Sequence, residues 1–350
     1  MRILYIIDTL SKGGAERVCI ELANSFTEKG YEVGIIFLLK EGSLANELHP
    51  NIKRYALNRK WKFNPFLMYK MISIMRKFDI IHVHMRHVMK YVLVANLFWP
   101  VKIKFVFHDH FGKHIDFLIK LLRHNYIYVG VSNDLKEWAI DNLKISEAKA
   151  FCIPNIVRKY SQKISKEKVW KDRIVLVSNI RKLKNVEFAI DLLYNLHQRG
   201  YLIKLDVIGE PIENDYFNSL VNKIQILRLG NYVNFIYNES RIQSIIGQYA
   251  VGMHTSPSET GPLVLIEYLA CGLPFLSFKT GEVAAQLANE LPDFFISDFE
   301  INHWIERLIK LVDMDRGRLQ ERMSSLFDRL YNQDHYISQW QKVYKRASNY

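Results

Sequence analysis

The feature that most constrains the fold is a strand–helix rhythm that runs through the first half of the chain, stops, and begins again. An apolar run at Ile3–Ile7 precedes a helical pattern at Ala15–Lys29 and a second apolar run at Val33–Leu38. A strand, a crossover helix and a second strand form the unit from which parallel α/β sheets are built. Further buried strands are predicted in the same half, at Ile80–Val83, Ile103–Phe107 and Tyr126–Val131. This half is therefore predicted to be a doubly wound α/β lobe.

A polar, lysine-rich passage at Arg158–Asp172 interrupts the rhythm, as a linker would. Beyond it, strands are predicted at Ile174–Val177, Leu202–Ile208, Val233–Ile236, Val251–His254 and Phe275–Phe278, and helices at Val186–Arg199, Gln243–Tyr249 and Pro262–Cys271. A chain of 350 residues also exceeds what one hydrophobic core usually accommodates. We predict two Rossmann-like lobes, at 1–160 and 161–333, and a C-terminal helix at 334–350 that packs back on the first lobe. Ligands of open α/β sheets bind beyond the carboxyl ends of the strands, so the expected active site is a cleft between the lobes.

Charge and composition indicate the kind of partner. The 48 lysines and arginines exceed the 36 aspartates and glutamates, and the net charge of +12 predicts attraction to something anionic. Basic residues lie among aromatic and aliphatic ones in three segments of the first lobe, Arg59–Phe63, Tyr69–Phe78 and Lys113–Arg123. Each segment alone fits a core-facing helix with a solvated basic face. Three of them in one lobe favour a surface that contacts an anionic membrane.

The cellular location follows from what the sequence lacks. The N-terminal apolar run is too short for a signal peptide, and no stretch reaches the roughly 20 apolar residues that span a bilayer. Three cysteines, Cys19, Cys152 and Cys271, have neither metal-ligand spacing nor a disulfide framework. We therefore expect a cytoplasmic protein, and the basic aromatic segments extend this expectation to peripheral contact with the inner face of the plasma membrane.

The segment Ser256–Thr280 carries the most chemical information. Pro262 suits the first position of a helix, and Gly272 suits the position after its end. Such a helix start directs the free backbone N–H groups of Leu263 and Val264, together with the helix dipole, towards an anion such as a diphosphate. Glu259 precedes the helix and Glu267 lies within it, so two carboxylates could hold hydroxyl-rich groups on either side of the phosphates.

This segment resembles glycosyltransferase family four, whose signature is a glutamate, seven residues, a second glutamate, a small-residue turn and Gly-Leu-Pro. The resemblance implies a GT-B fold and a retaining transferase of the bacterial surface-polysaccharide type, with an acceptor-side first lobe and a nucleotide-sugar-binding second lobe. It also implies that Glu259 faces the donor sugar and that Glu267 binds the ribose hydroxyls. The diphosphate would be bound by the backbone of Thr260, Gly261, Pro262, Leu263 and Val264.

The resemblance extends to other parts of the chain. Gly13 and Gly14 match a glycine pair whose lack of side chains lets backbone approach the donor phosphates and the acceptor, although such a pair often only ends a strand. His110, in the segment Phe107–Gly112, matches a histidine near the donor sugar and acceptor. The alternative is a loop histidine that is hydrogen-bonded to backbone. Ile153–Asn155 matches a later landmark.

In the second lobe, Val177–Asn185 parallels a family strand and loop that carry an arginine and a lysine for the donor pyrophosphate. Lys184 falls on the lysine position, while Asn179 stands where the arginine is usual. Arg181, two residues later, is expected to supply the displaced charge. Gly209, where the next strand ends, completes the predicted donor-binding set.

The first lobe is rich in histidines: His82, His84, His87, His108, His110 and His114. His-x-His occurs twice and suggests a metal site, but a metal needs converging ligands and a supporting carboxylate shell. The resemblance implies a reaction without a metal or other cofactor, because the helix start and Lys184 would neutralise the leaving diphosphate. The absence of an evident second carboxylate favours front-face attack over a glycosidase-like double displacement.

The predicted function is transfer of a sugar from a nucleotide-sugar donor, UDP- or GDP-linked, to a glycan or lipid-linked acceptor. One alternative is a sugar-nucleotide epimerase or hydrolase of the same fold, which needs no acceptor. A second is a metal-dependent hydrolase built on the histidines. A nucleic-acid-binding module rests on net charge alone, and no nucleic-acid motif supports it.

Overall fold

The computed structural model describes residues 1–11, 13–61, 63–102, 104–110, 113–159, 169–237 and 242–348, apart from the side chains of Lys104 and Gln243. The chain divides into two compact units. The first unit comprises Met1–Ile156 and Gln333–Tyr350, and the second unit comprises Val157–Asn332. Most of the predicted linker lies outside the described residues, as do Lys62, Phe111 and Gly112.

A seven-stranded parallel sheet forms the centre of the first unit. Its strands are β1 (Arg2–Ile7), β2 (Glu32–Phe37), β3 (Lys53–Ala56), β4 (Ile80–His84), β5 (Lys104–Asp109), β6 (Tyr126–Gly130) and β7 (Ala150–Cys152). They lie in the order β3-β2-β1-β4-β5-β6-β7. Strands β4 and β6 are buried along their whole length, as in parallel sheets that are covered on both faces.

Five helices connect these strands: α1 (Gly14–Glu28), α2 (Pro65–Met75), α3 (Arg86–Phe98), α4 (Phe117–Leu121) and α5 (Asn133–Leu143). Side-chain caps define several of their starts. Asn64 accepts a hydrogen bond from the backbone N–H of Leu67 at 3.1 Å, and Pro65 occupies the first position of α2. Ser132 caps α5 in the same way, accepting from Leu135 at 3.1 Å.

The second unit is built on a six-stranded parallel sheet. Its strands are β8 (Trp170–Val177), β9 (Lys204–Ile208), β10 (Val233–Ile236), β11 (Tyr249–His254), β12 (Phe275–Phe278) and β13 (Phe295–Ile296), in the order β10-β9-β8-β11-β12-β13. Its helices are α6 (Val186–Gln198), α7 (Asn214–Ile226), α8 (Ile242–Ile245), α9 (Leu263–Ala270), α10 (Gly281–Ala288), α11 (Ile301–Val312) and α12 (Arg316–Leu330).

The C-terminal helix α13 (Gln333–Ser348) belongs to the first unit, where it packs against α1 and strands β4, β5 and β6. Its buried face includes Trp340 and Tyr344, both fully buried. The phenolic oxygen of Tyr344 lies 3.1 Å from that of Tyr5 on β1. The C-terminal helix therefore completes the hydrophobic core of the first unit, to which the N-terminal strand also contributes.

Each sheet has a point at which the chain connections diverge. In the first unit, β1 leads to β2 on one side and β4 leads to β5 on the other. In the second unit, β8 leads to β9 and β11 leads to β12 in the same divergent way. The loops after these paired strands separate and leave a crevice, which is where open α/β sheets bind ligands.

The prediction of two doubly wound parallel-sheet lobes is confirmed, although several element boundaries differ. Strands β3, β7 and β13 were not predicted, because runs of two to four residues carry too little pattern. Trp170–Asp172, predicted as linker, forms the start of β8. The single helix predicted at Gln243–Tyr249 is divided: α8 is followed by a 3₁₀ turn at Ile246–Gln248, and Tyr249 begins β11.

Candidate functional site

Two loops meet at the switch point of the second unit, one after β8 with Lys184 and one after β11 with Glu259. The hydroxyl of Thr255 donates a hydrogen bond to the backbone carbonyl of Lys184 at 3.0 Å, which ties the loops together. Tyr268 of α9 holds the strands beneath them. Its hydroxyl accepts from the backbone N–H of Val177 on β8 at 3.2 Å and donates to a β11 carbonyl at 3.2 Å.

Lys184 and Glu259 form an ion pair at this point. The Lys184 ammonium donates a short hydrogen bond to Oε1 of Glu259, and the two side chains are only 26% and 17% exposed. The backbone N–H of Glu259 donates to the hydroxyl of Thr280 at 3.1 Å, which fixes the loop. Burial of Glu259 would raise its pKa, but His254 and the Lys184 charge outweigh burial and lower the pKa to about 2. The carboxylate is therefore ionised at neutral pH.

His254, the last residue of β11, is a site residue that sequence reasoning missed. It is 5% exposed, and its Nε2 lies 3.6 Å from Oε1 of Glu259. Its Nδ1 lies 3.0 Å from the hydroxyl of Ser277, its register partner on β12. The sequence does carry a signal that could have identified His254. It is a histidine at the carboxyl end of a predicted buried strand, directly before the signature segment.

The start of α9 lies beside the ion pair. Pro262 occupies the N-cap with φ −68° and ψ 103°, so the helix begins at Leu263, one residue later than predicted. The N–H groups of Leu263 and Val264 belong to the first turn, which has no acceptors within the helix. The carbonyl of Thr260 accepts a hydrogen bond at 2.9 Å from the backbone of α10. A Cβ on Gly261 would meet no neighbouring atom within 4 Å.

Glu267 lies within α9, as the sequence predicts, and is 8% exposed. The other residues from Leu265 to Ala270 are apolar apart from the hydroxyl of Tyr268, and all of them are buried. A carboxyl group in such surroundings is costly unless polar partners surround it. Glu267 lies on the helix that begins beside the ion pair, which makes it a candidate for binding polar ligand groups.

The remaining donor-side candidates surround the loop after β8. Oδ1 of Asn179 accepts from the backbone N–H of Glu210 at 3.4 Å and so holds the neighbouring loop after β9. Arg181 is exposed, and its guanidinium pairs with no carboxylate in the described part of the chain. At Gly209 a Cβ would lie 2.0 Å from the carbonyl oxygen of Ser178, so only glycine fits where β8 and β9 end.

In the first unit, Gly13 is the N-cap of α1 and Gly14 is its first residue. Gly14 is exposed, whereas the Glu16 carboxylate lies over Gly13, where a Cβ would be 2.3 Å from Oε2. At the switch point between β1 and β4, Asp8 forms a short hydrogen bond with the His87 imidazole and lies 3.6 Å from the Arg59 guanidinium. The sequence alone did not predict a role for Asp8 or Arg59 at this switch point. The residues that meet there belong to three separate elements, which come together only when the sheet folds.

His110 directly follows β5 and is 9% exposed. Its Nε2 lies 3.0 Å from Nδ1 of His84, and the two rings stack at an interplanar angle of 12°. Its Nδ1 is buried and has no hydrogen-bond partner among the described residues. Burial lowers the pKa of His110 to about 3, so the imidazole is neutral at physiological pH. A neutral ring can offer Nδ1 to a ligand as donor or acceptor.

A buried ion pair anchors the end of β5 just before His110. Arg86 Nη2 lies 2.5 Å from Oδ2 of Asp109, a fully buried carboxylate that also accepts from the Tyr128 hydroxyl at 3.0 Å. The Arg86 guanidinium lies 5.0 Å from the ring centroid of Trp138. Sequence reasoning did not identify this group, since its members come from four elements.

The histidine cluster beneath His110 consists of His82, His84 and His108, whose ring nitrogens lie within 4.8 Å of one another. The rings of His82 and His84 are stacked 4.5 Å apart with an interplanar angle of 2°. Imidazole lone pairs lie in the ring plane, so two stacked parallel rings cannot both direct nitrogens at one ion. Trp340 packs on His82 and His108 at 4.7 Å, and Nδ1 of His82 lies 2.7 Å from the Tyr344 hydroxyl. Burial holds the pKa of all three histidines well below the usual value.

An exposed apolar surface, here called the aromatic patch, lies on the first unit and comprises Phe63, Phe66, Tyr69, Leu97 and Phe98. The rings of Phe63, before α2, and Phe98, at the end of α3, lie 6.2 Å apart. Phe66 is 74% exposed and Phe98 is 61% exposed. Helix α4 packs against α3 and exposes 78% of Phe117. Large aromatic side chains left in water in this number indicate an interaction surface.

The basic segments predicted to contact a membrane include Lys60, Lys62 and Lys113. Lys60 is exposed, whereas Lys113 forms an exposed ion pair with Asp134 at 2.7 Å. Lys62 lies outside the described residues. None of the described helices has the length and hydropathy that crossing a membrane requires.

Comparison with known proteins agrees with this geometry. Residues 12–158 match the model of Glycosyltransferase Family 4, and residues 157–325 match the model of Glycosyl transferases group 1. Among curated proteins, N-acetyl-alpha-D-glucosaminyl L-malate synthase of Bacillus anthracis is 21% identical, over 95% of this chain and 94% of its own.

Two solved structures show the same fold. Anabaena HepE in complex with UDP-glucose superposes with a TM-score of 0.82 at 17% identity, covering 100% of both chains. A mutant of S. aureus TarM in complex with Fondaparinux, alpha-GlcNAc-glycerol and UDP superposes with a TM-score of 0.75 at 12% identity, covering 98% of this chain and 99% of TarM. With both family models matched in succession, the chain belongs to glycosyltransferase family 4 and is a glycosyltransferase of the GT-B fold.

Proposed function

We propose that the protein transfers a sugar, with retention of anomeric configuration, from a UDP-sugar to a glycan or lipid-linked acceptor in surface-polysaccharide biosynthesis. The observation that carries this proposal is the Lys184–Glu259 ion pair beside the first turn of α9. An ammonium and free N–H groups suit a diphosphate, and the adjacent carboxylate suits a sugar. The HepE structure contains UDP-glucose and the TarM structure contains UDP, which supports UDP as the nucleotide.

Each candidate residue then has a defined task. Lys184, Arg181 and the N–H groups that begin α9 bind the diphosphate and stabilise its charge as it leaves. Glu267 accepts hydrogen bonds from the ribose hydroxyls. Glu259 binds the donor sugar, and the unpartnered Nδ1 of His110 hydrogen-bonds a sugar hydroxyl.

The proposed chemistry is front-face substitution. The acceptor oxygen bonds to the anomeric carbon on the face from which the diphosphate departs. The bond between that carbon and the diphosphate oxygen breaks, and its electron pair moves to the diphosphate. The acceptor proton passes to a diphosphate oxygen. Glu259, ionised and held by Lys184, stabilises the positive charge that develops on the sugar ring.

The proposal is tested with UDP-glucose and UDP-N-acetylglucosamine labelled in the sugar, with EDTA present. Acceptor-dependent formation of an α-linked product supports a metal-independent retaining transferase. A β-linked product would overturn retention, and loss of turnover in EDTA would overturn metal independence. Release of free sugar would instead identify a hydrolase, and conversion of either donor to its own epimer without acceptor would identify an epimerase.

We also propose that the first unit contacts anionic lipid through the aromatic patch and the lysines around it. Aromatic side chains partition into the membrane interface, while each lysine near an anionic leaflet gains about 1 kcal/mol. Such contact would bring the enzyme to a lipid-linked acceptor.

A further inference from the structure

The Lys184–Glu259 ion pair raises a problem of charge balance. In the described residues the Lys184 side chain pairs with Glu259 and with no other carboxylate. A diphosphate bound to Lys184 brings further negative charge beside a carboxylate that is only 17% exposed. The ammonium of Lys184 is then shared between two anions, and a buried carboxylate that loses part of its counter-ion's charge is destabilised.

The hydrogen bonds of His254 identify a group suited to this task. The Nδ1 of His254 lies 3.0 Å from the hydroxyl of Ser277, which orients the imidazole ring. Its Nε2 is buried, has no hydrogen-bond partner among the described residues and lies 3.6 Å from Oε1 of Glu259. An N–H at Nε2 would donate a charge-assisted hydrogen bond to this carboxylate when the two groups move closer.

We propose that His254 is a second hydrogen-bond donor that holds Glu259 through Nε2 while Lys184 binds the diphosphate. This inference rests on the proposed function, because it takes Lys184 as a diphosphate ligand. His254 contacts Glu259 and not the reacting atoms, so it is a positioning residue. Its polar neighbours are Glu259, before α9, and Ser277 on β12.

The test is a double-mutant cycle on the full chain, with UDP binding measured by calorimetry. His254→Leu should weaken UDP binding about tenfold, as expected for loss of a hydrogen bond to a charged group. In a Glu259→Gln background, His254→Leu should leave the UDP affinity unchanged, because no carboxylate remains to be held.

The control is His303→Leu, which removes a histidine that is 58% exposed in the same unit and should not change UDP affinity. Thermal unfolding verifies that each variant is folded. If His254→Leu does not fold, His254→Asn replaces it in both backgrounds with the same expected result, because it keeps a polar group at the position of Nδ1 and removes Nε2.

The possible outcomes are distinct. If the wild type does not bind UDP, the proposed function fails, and this inference fails with it. If the wild type binds UDP but His254→Leu has no effect, or has the same effect with and without Glu259, only the role of His254 is overturned.

Discussion

Among single residues, Lys184 carries the sharpest prediction. Lys184→Met should weaken UDP binding by about 1.5 to 3 kcal/mol, because a charge-assisted hydrogen bond to the diphosphate is lost. Binding of uridine, which has no phosphate, should scarcely change. Lys182→Met is the matched control, since Lys182 is exposed in the same 3₁₀ turn. Calorimetric titration measures the UDP affinity of both variants. Equal losses of affinity in the two would contradict the assignment of Lys184 to the diphosphate.

Glu267 should act on the nucleoside part of the donor. Glu267→Gln keeps the shape of this buried side chain but removes its charge, so UDP and uridine should both bind about tenfold more weakly. Glu282→Gln, in the first turn of α10, is the control. Competition with a fluorescent UDP analogue measures the affinities. A Glu267→Gln variant that binds uridine normally would contradict the assignment to the ribose.

The low pKa of Glu259 predicts how stability depends on pH. Its pKa is about 2 in the folded protein and 4.5 as an unperturbed value, so the carboxylate stabilises the fold above pH 4.5. This contribution, about 3 kcal/mol by linkage, should be lost as pH falls through 2. Urea unfolding across this range should therefore converge for wild type and Glu259→Gln at low pH. A constant difference between them would show that the ion pair does not depress the pKa.

Among the structural elements, α13 should be essential to the first unit. Trp340 is fully buried against His82 and His108, so Trp340→Ala should lower the free energy of unfolding by about 3 to 5 kcal/mol. Trp61→Ala makes the same change at a side chain that is 74% exposed and should be nearly neutral. Chemical denaturation followed by circular dichroism measures both. Similar stabilities would mean that α13 is dispensable for the fold.

For the whole molecule, the net charge of +12 and the aromatic patch predict salt-sensitive binding to anionic vesicles. Replacing Phe66 and Phe98 with serine should release the protein, because the apolar contribution is lost. Replacing Lys60 and Lys70 with glutamate should also weaken binding, through charge that is screened within a Debye length. Sedimentation with phosphatidylglycerol vesicles at low and high salt measures these effects.

The control for that experiment is Ile226→Ser, which alters a side chain that is 79% exposed in the second unit. It should sediment like the wild type, and UDP binding should be normal in every variant. If the wild-type protein remains in solution with anionic vesicles at low salt, the proposed membrane contact is contradicted. The proposed donor site does not depend on this result.

The sequence by itself determined the elements and the class of protein, because the patterns that encode them are local. Apolar runs of five or six residues define strands such as β1 and β2, and helical periodicity defines α1. The spacing of Glu259 and Glu267 places one before a helix and one inside it, whatever lies around them. The same locality limited the prediction at short edge strands such as β3, where four residues carry little periodic signal.

Only the tertiary structure decided which distant residues meet, because no local sequence pattern encodes the order of strands in a sheet. Placing β11 beside β12 brings His254 to Ser277, and placing β11 beside β8 brings Glu259 to Lys184. Packing of α2 on α3 joins Phe63 to Phe98 in one exposed surface. Each of these contacts depends on long-range burial of apolar faces, which forms only when the whole unit folds.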